Sequence, residues 1–537
     1  MPSLEKKLIR TELKQRQEEG CDIAEIADRI NQALHIKASD SVFTALYDEL
    51  VALPVTESFR YDEPSSLKDI QAARPEGPRE FELFLDAEDM YNRIYGGWLG
   101  RAAGCALGKP VEGWHKDRIE KYLGDAGALP LTNYIPFEPR AISEKLKAST
   151  LDNIHFMDRD DDMDFPVLGL LALEQKGAQL SSRTIANTWL SHMPFGLTYT
   201  AEGVAYRNFA LSIWPPESAL YRNPFREWIG AQIRADIFGY VTPGQPEKAA
   251  ELAYRDAAIS HDKNGIYGEM FVAAMIAAAF ALSEAEDIIN AGLAEIPQDS
   301  RLAEAIQQTQ TWCREELSGT RNWQIVWSQI NEHYGHYHGV HTINNAALVV
   351  LGLYFGNEDY EQGIVTTVLA GWDTDCTAAT VGSILGIKLG AAALPEKWIG
   401  VLNDRLVSAV RCENDNKISD LARRTAAVAA DMQNTDNKPA KPTLDGDASG
   451  IWELETGWGT HLLKLDEATI YLIDNELGPF DITASSLNAS ELKFSFAIDK
   501  GDWDFAVDFE GLLHGDTIEG VYYPGPVDVK GRRTSHE

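Results

Sequence analysis

The chain has 537 residues, 44% hydrophobic and 24% charged, with 82 Asp and Glu against 48 Lys and Arg, a formal charge of −34. That length buries a large core and predicts more than one domain. So acidic a surface disfavours nucleic acid and anionic membranes as general partners.

The five cysteines, Cys21, Cys105, Cys313, Cys376 and Cys412, form no Cys-x-x-Cys pair. That argues against zinc-ribbon and disulfide scaffolds and points to a reducing compartment. A polar helix and no apolar leader follows Met1, and the longest apolar run, 270–282, is too short to span a bilayer. A cytoplasmic protein is expected.

Residues 1–85 read as a polar helical extension, with Ile23, Ile26, Ile30 and Leu34 at helical spacing and a Pro-rich connector over 61–80. Residues 86–432 read as one all-α domain. Its first helix, 91–108, is rich in Gly and Ala and suits close packing on its neighbours. A loop is predicted over 125–151, then helices over 163–177, 182–192, 247–259, 268–283, 299–317, 322–333, 343–355, 359–370 and 376–393.

Residues 195–240 differ in texture. Tyr199, Tyr206, Arg207, Trp214, Arg222, Arg226 and Trp228 follow one another among prolines. Such loops build a ligand wall, rings for bases and guanidinium groups for phosphates, or else simply cover a core. Residues 433–447 read as a linker. Over 448–537, β-branched and aromatic clusters at 451–455, 469–473, 492–498, 505–509 and 517–523 predict a small antiparallel β domain, sandwich or barrel.

Two acidic helix starts organise the helical domain. In Gly371-Trp372-Asp373-Thr374-Asp375-Cys376 the carboxylates precede a helix of small residues, where exposed N–H groups and the helix dipole favour them. Residues two apart do not share a helix face, so aiming both acids at one point requires irregular backbone, which Gly371-Trp372 supplies. Far upstream, Asp160-Asp161-Asp162 opens a second apolar helix, with Pro166 tolerated in its first turn. The plain alternative is an N-cap with a spare acid. Two such starts brought together repel unless something positive lies between them, and a hard divalent cation with oxygen ligands is the simplest candidate.

The stretches Ile94-Tyr95-Gly96-Gly97-Trp98-Leu99-Gly100, Gly104-Cys105-Ala106-Leu107-Gly108-Lys109-Pro110-Val111-Glu112, Asp160-Asp161-Asp162, Ile259-Ser260-His261 and Asp373-Thr374-Asp375, in that order, resemble the ADP-ribosylglycohydrolase family. The resemblance implies a mainly α fold, an orthogonal all-α bundle. It implies a site for two metal ions, Mg2+ or Mn2+, and hydrolysis of a glycosidic bond at the anomeric carbon of ADP-ribose. Asp161 and Asp162 match the family's first acid pair, Asp373 and Asp375 the later pair, and Glu112 the acid after the Gly-rich motif. Asp160 stands where the family often has Thr. Cys105 replaces a usual Asp. Cys376 replaces a Thr whose hydroxyl can touch metal; it reads as a small helix-facing residue, thiolate being an odd partner for a hard cation.

The expected metal ligands are Asp160, Asp161, Asp162, Asp373 and Asp375, with Glu112 and Asp162 catalytic. Arg222, Arg226 and Arg234, with Gly230, are candidates for anionic groups of the ligand, and Trp228 and Tyr267 for its base. His261 is a ligand contact or a helix cap; His341 reads as a cap. The expected partner is an ADP-ribosylated or small-molecule substrate. Metal-dependent hydrolysis of simple nucleosides is the enzymatic alternative. A non-catalytic protein on this fold is the other, which the cysteine replacements keep open and the unused acids argue against.

Overall fold

Gly96, Gly100, Gly104 and Gly108 recur every four residues and so line one face of a helix. In the computed structural model, which describes residues 3–436 and eight strands between 450 and 535, that face is where two helices meet backbone to backbone. The helix Ala87–Gly108 begins at Asp86, whose carboxylate accepts from the N–H groups of Glu88 and Asp89, both at 2.9 Å. Its partner is the helix Thr374–Leu389. A Cβ on Gly100 would lie 2.1 Å from the Gly382 carbonyl oxygen and one on Gly104 2.1 Å from that of Ala378. In the other direction, a Cβ on Gly386 would lie 2.1 Å from the Gly96 oxygen.

Helices gather round this pair. Tyr360 donates to the Gly100 carbonyl at 2.9 Å, Trp98 Nε1 to Thr425 Oγ1 at 3.1 Å, and the Tyr240 and Ser383 hydroxyls lie 2.6 Å apart. The helices expected downstream are present, among them Asp161–Lys176, Ser182–His192, Pro246–Ala257, Asn264–Ala279, Thr342–Phe355 and Tyr360–Ala370. Asn264–Ala279 is buried along its whole length. Helices Thr200–Ala210, Ala285–Leu293 and Ile418–Asp436 were not expected. In the first, Thr, Gly, Tyr and Asn are weak helix formers; burial of Ala201, Val204, Ala205, Tyr206 and Phe209 overrides that local preference. No helix among the described residues is long and apolar enough to cross a membrane.

The first compact unit spans Met1–Gln433 and includes the N-terminal extension. Helices Leu4–Glu18, Ala24–His35 and Asp40–Val51 share a small core of Ile9, Ile26, Ile30, Phe43, Tyr47 and Leu50. Buried polar groups tie them to the rest of the unit. Arg226 lies between Glu12 (3.0 Å) and Glu19 (2.9 Å), and Gln15 donates to Glu227 at 2.5 Å. The Pro-rich stretch contains the helix Leu67–Ala73, with Ile70 buried.

The second unit, Asn434–Glu537, holds an eight-stranded closed antiparallel barrel in which strands adjacent in sequence pair and Val527–Ser535 returns to Gly450–Thr456. Closure leaves no open edge. Strands Gly459–Leu465, Leu477–Asn488 and Val527–Ser535 join those anticipated from composition. The linker expected over 433–447 falls outside the described residues from 437 onward.

The glycine contact sets a test with opposed signs. Alanine is favoured over glycine in a helix by about 1 kcal/mol. At Gly104, though, its Cβ meets a backbone oxygen that cannot rotate away. Gly104→Ala is therefore expected to destabilise by about 1–3 kcal/mol, read as a lowered Tm by circular dichroism. An unchanged or raised Tm would show that the two helices part without cost.

Candidate active site

The turn before the second acidic start is irregular, as aiming two acids at one point demands. Gly371 and Trp372 both take positive φ, +83° and +64°. A Cβ on Gly371 would lie 2.7 Å from the Trp114 carbonyl oxygen, so only glycine fits. Trp372 is an uncommon residue at such a φ, and its backbone holds it there: its N–H donates to Trp114 O, and its carbonyl accepts from Gly113 N–H, both at 2.8 Å. This pairing draws residues 113–114, and Glu112 just before them, alongside the helix start. Asp373 N–H donates to Asn345 Oδ1 at 3.3 Å, while Asn345 Nδ2 donates to the Gly339 and His341 carbonyls at 2.8 Å. His341 caps its helix, Nδ1 accepting from Ile343 N–H at 3.2 Å.

The first acidic start is held by two cations. Arg101, fully buried, donates to the Asp162 carbonyl through Nε (2.9 Å) and Nη2 (2.7 Å), to Asp162 Oδ1 (3.2 Å), to Asp236 Oδ2 (2.7 Å) and to Ile233 O (2.6 Å). Asp160 caps the helix by accepting from Asp162 N–H at 3.0 Å, and its other oxygen lies 3.3 Å from Lys109 Nζ. Both Asp160 oxygens are thus engaged, unlike those of a free metal ligand. Asp161 is partly exposed beside it.

The two starts meet. Cys376 Sγ donates to Asp162 Oδ2 at 3.1 Å, so Cys376 faces the acids and is not the helix-facing filler its position suggested. Ligand atoms of Glu112, Asp373 and Asp375 lie within 4.8 Å of one another, as do those of Asp162, Asp375 and Cys376. Asp375 belongs to both sets. Asp373 Oδ1 and Asp375 Oδ1 are buried and have no hydrogen-bond partner among the described residues.

Burial, reinforced by Glu112 and Asp373, pushes the Asp375 carboxyl well up; burial raises Asp162 too, against the pull of Arg101. Asp373 is pushed up to about 6, chiefly by burial. Glu112 keeps part of its surface in solvent, but withdrawal of its carboxyl from water, with the Asp373 and Asp160 charges beside it, pushes it up to about 7. The orphaned oxygens and the oxygen-rich donor set fit a divalent cation.

The residues expected to bind substrate are mostly committed elsewhere. Arg222 pairs with Asp48 (2.5 Å) and Glu5 (3.4 Å), and Arg226 with Glu12 and Glu19. Arg234 binds Asp256, Glu202 (2.7 Å) and the Gly230 carbonyl (2.8 Å), beneath Trp189. The anions these guanidinium groups face are carboxylates of the chain itself, as many as 214 residues away and invisible to local reading. Tyr267 is fully buried with its hydroxyl on Pro64 O, so no base can stack on it. His261 is buried against Ser260 Oγ at 2.8 Å, and burial lowers its pKa and keeps it neutral.

Trp228 is half-buried, stacked on His338 at 4.2 Å, and its backbone bridges to His341, which leads through Asn345 to Asp373. Arg101 escaped sequence reasoning. The available signal was a single charge in a helix otherwise of small and apolar residues over 94–108.

A sequence model of the ADP-ribosylglycohydrolase family matches residues 86–435. The chain belongs to that family. A protein of Archaeoglobus fulgidus described as uncharacterized is 24% identical over 320 residues, 57% of this chain and 90% of that protein. A solved structure described as an ADP-ribosylglycohydrolase-related protein complex is similar with a TM-score of 0.42 at 17% identity, over 64% of this chain and 99% of that one. The family match takes in both acidic helix starts and Glu112 and leaves out the first 85 residues and the barrel.

The raised carboxyls of this ADP-ribosylglycohydrolase relative set a pH dependence. Asp373 and Glu112 lift from ordinary values of 3.8 and 4.5 to about 6 and about 7. Without metal, the folded protein therefore holds these protons more tightly than the unfolded chain. The stability they lend is complete below the ordinary values and is lost as pH rises through about 6 and about 7. In chelator, wild-type Tm is expected to fall across that window more steeply than that of the double variant Glu112→Gln/Asp373→Asn. Parallel profiles would place the two carboxyls outside a shared field.

Proposed function

We propose that this protein hydrolyses the glycosidic bond at the ribose anomeric carbon of an ADP-ribosylated compound, using divalent metal held between the two acidic helix starts. The observation that carries the reading is the pair of buried oxygens, Asp373 Oδ1 and Asp375 Oδ1, left without a donor beside Asp162 and Glu112 in a member of this family. A buried carboxylate oxygen without a partner is costly, and a cation removes that cost together with the mutual repulsion.

Asp162, Asp373 and Asp375, with Glu112, would hold divalent metal, two ions and Mg2+ or Mn2+ by the family resemblance, with Asp161 at the margin. A metal held there would lower the pKa of a water and orient the ribose hydroxyls. The chain's own residues supply the rest. Glu112, on the exposed side of the acids, would take a proton from the attacking water at its carboxylate oxygen. The surrounding carboxylates favour the positive charge that develops on the ribose ring as the bond breaks. Arg101 fixes Asp162, and Asn345 fixes the backbone of Asp373, so the acids keep their aim. The half-buried ring of Trp228 is the remaining candidate surface for a base.

A second reading, hydrolysis of a simple nucleoside, gains from one observation. Arg222, Arg226 and Arg234 are each engaged by the chain's own acids, which leaves none of the three for a diphosphate. Turnover compared across ADP-ribosylated substrates and plain nucleosides separates the two readings.

Asp375→Asn separates a metal ligand from an ordinary first-turn acid of its helix. Asn keeps the shape and loses only the charge's interaction with the helix dipole, so that role predicts near wild-type turnover. A ligand role predicts a loss on the order of a hundredfold, about 3 kcal/mol of transition-state stabilisation, at saturating Mg2+ on an ADP-ribosylated substrate. In chelator the variant should melt no lower than wild type, because it relieves repulsion. Activity within a few-fold of wild type would remove Asp375 from the site.

A further inference from the structure

We propose that the two halves of the acidic site differ in chemistry: Asp162, Asp375 and Cys376 form a position for a thiophilic divalent ion such as Zn2+ or Co2+. Glu112, Asp373 and Asp375 form an all-oxygen position for Mg2+ or Mn2+, and Asp375 serves both. This rests on the metal-dependent reading above and deepens it. The site is where the acids of two distant helix starts converge, and Cys376 is the sulfur among them.

Three observations carry it. Cys376 is buried, and its sulfur is directed at the acids, donating to Asp162 Oδ2 at 3.1 Å. One ligand atom from each of Asp162, Asp375 and Cys376 lies within 4.8 Å of the others. With metal–sulfur and metal–oxygen bonds of about 2.3 and 2.1 Å, tetrahedral ligands stand roughly 3.5 Å apart, so the cluster closes on an ion with small side-chain movement. Independently of the cysteine, Asp375 Oδ1 is buried and has no hydrogen-bond partner among the described residues, so a member of the cluster carries an acceptor without a donor.

The donor types then divide the ions. Thiolate favours zinc and its soft neighbours, whereas carboxylates alone suit Mg2+ and Mn2+. On binding, the thiol proton leaves to solvent and the sulfur lone pair forms the metal bond, so no oxidant or reductant is needed. Arg101 holds Asp162 through its carbonyl and Oδ1, which leaves Oδ2, the oxygen facing Cys376, to turn from thiol to metal.

The experiment titrates the full-length protein with Co2+ in excess Mg2+ and follows the ultraviolet thiolate-to-cobalt charge-transfer band. Mg2+ and Mn2+ binding is measured in parallel by calorimetry. One equivalent of cobalt should produce the band. Cys376→Ser should abolish it and lower cobalt affinity by at least about tenfold, the scale of even second-sphere losses, while retaining Mg2+ binding. The band should survive Cys412→Ser, at the exposed thiol, and Cys105→Ser, at the other buried thiol near the acids. Cys376→Thr should likewise lose the band, and its melting curve confirms folding.

A band that persists in Cys376→Ser, or Mg2+ binding with no cobalt band in wild type, would overturn the sulfur position and leave the metal-dependent reading standing. Failure to bind any of the ions would overturn both.

Discussion

The contact between helices Ala87–Gly108 and Thr374–Leu389 is the constraint on which the site depends. Side chains normally hold helix axes 8–10 Å apart. Here, glycines on both helices remove the spacers, and carbonyl oxygens sit where Cβ atoms would otherwise stand. The contact runs from Gly96 beside Gly386 to Gly108, where a Cβ would lie 2.2 Å from the Thr374 oxygen. Thr374 Oγ1 closes this end by donating to the Gly108 carbonyl at 2.9 Å. One helix's C-terminal end is thereby pinned to the other's first turn. Glu112 follows just after the first helix and Asp373 just precedes the second, so close packing along about three turns becomes close approach of carboxylates at one end.

Such an approach is electrostatically unfavourable, and the chain offsets it only in part. Arg101 and Lys109, both from the same glycine-rich segment, engage Asp162 and Asp160. Among the described residues, no cationic side chain pairs with Asp373 or Asp375. The positive charge is placed under the first acidic start and withheld from the second. Breaking a buried ion pair by removing one member typically costs several kcal/mol, because the remaining charge is stranded. Arg101 is therefore as much a part of the site's architecture as the acids it holds.

The N-terminal extension shows the same logic elsewhere in the unit. Burial alone would raise the carboxyl of Glu19, but Arg226, with Lys263 behind it, outweighs burial and holds it well below the usual range. Arg301 joins Glu63 and Glu227 at 2.7 and 2.6 Å, and its Nη1 donates to the Glu18 carbonyl. Guanidinium groups that would suit a phosphate are thereby neutralised by residues from the first 65 positions. The extension supplies the anions that make these buried arginines tolerable.

Much of the architecture was legible in the sequence because it is written locally. Periodic apolar residues located most helices, β-branched clusters located five of the barrel strands, and the Gly- and Ala-rich composition of 91–108 announced a close helix contact. The two acidic starts and the irregular Gly371-Trp372 turn could be read from spacing alone, since residues two apart do not share a helix face. What only the tertiary structure decided concerns partners. Arg222, Arg226 and Arg234 looked free because the glutamates and aspartates that bind them lie elsewhere in the chain. Tyr267 looked available because nothing local shows that it is buried against Pro64. Cys376 looked inert until folding set its sulfur against Asp162, 214 positions away. Local sequence specifies backbone preference and which face is apolar; which charge meets which is fixed only when distant segments share one low-dielectric interior.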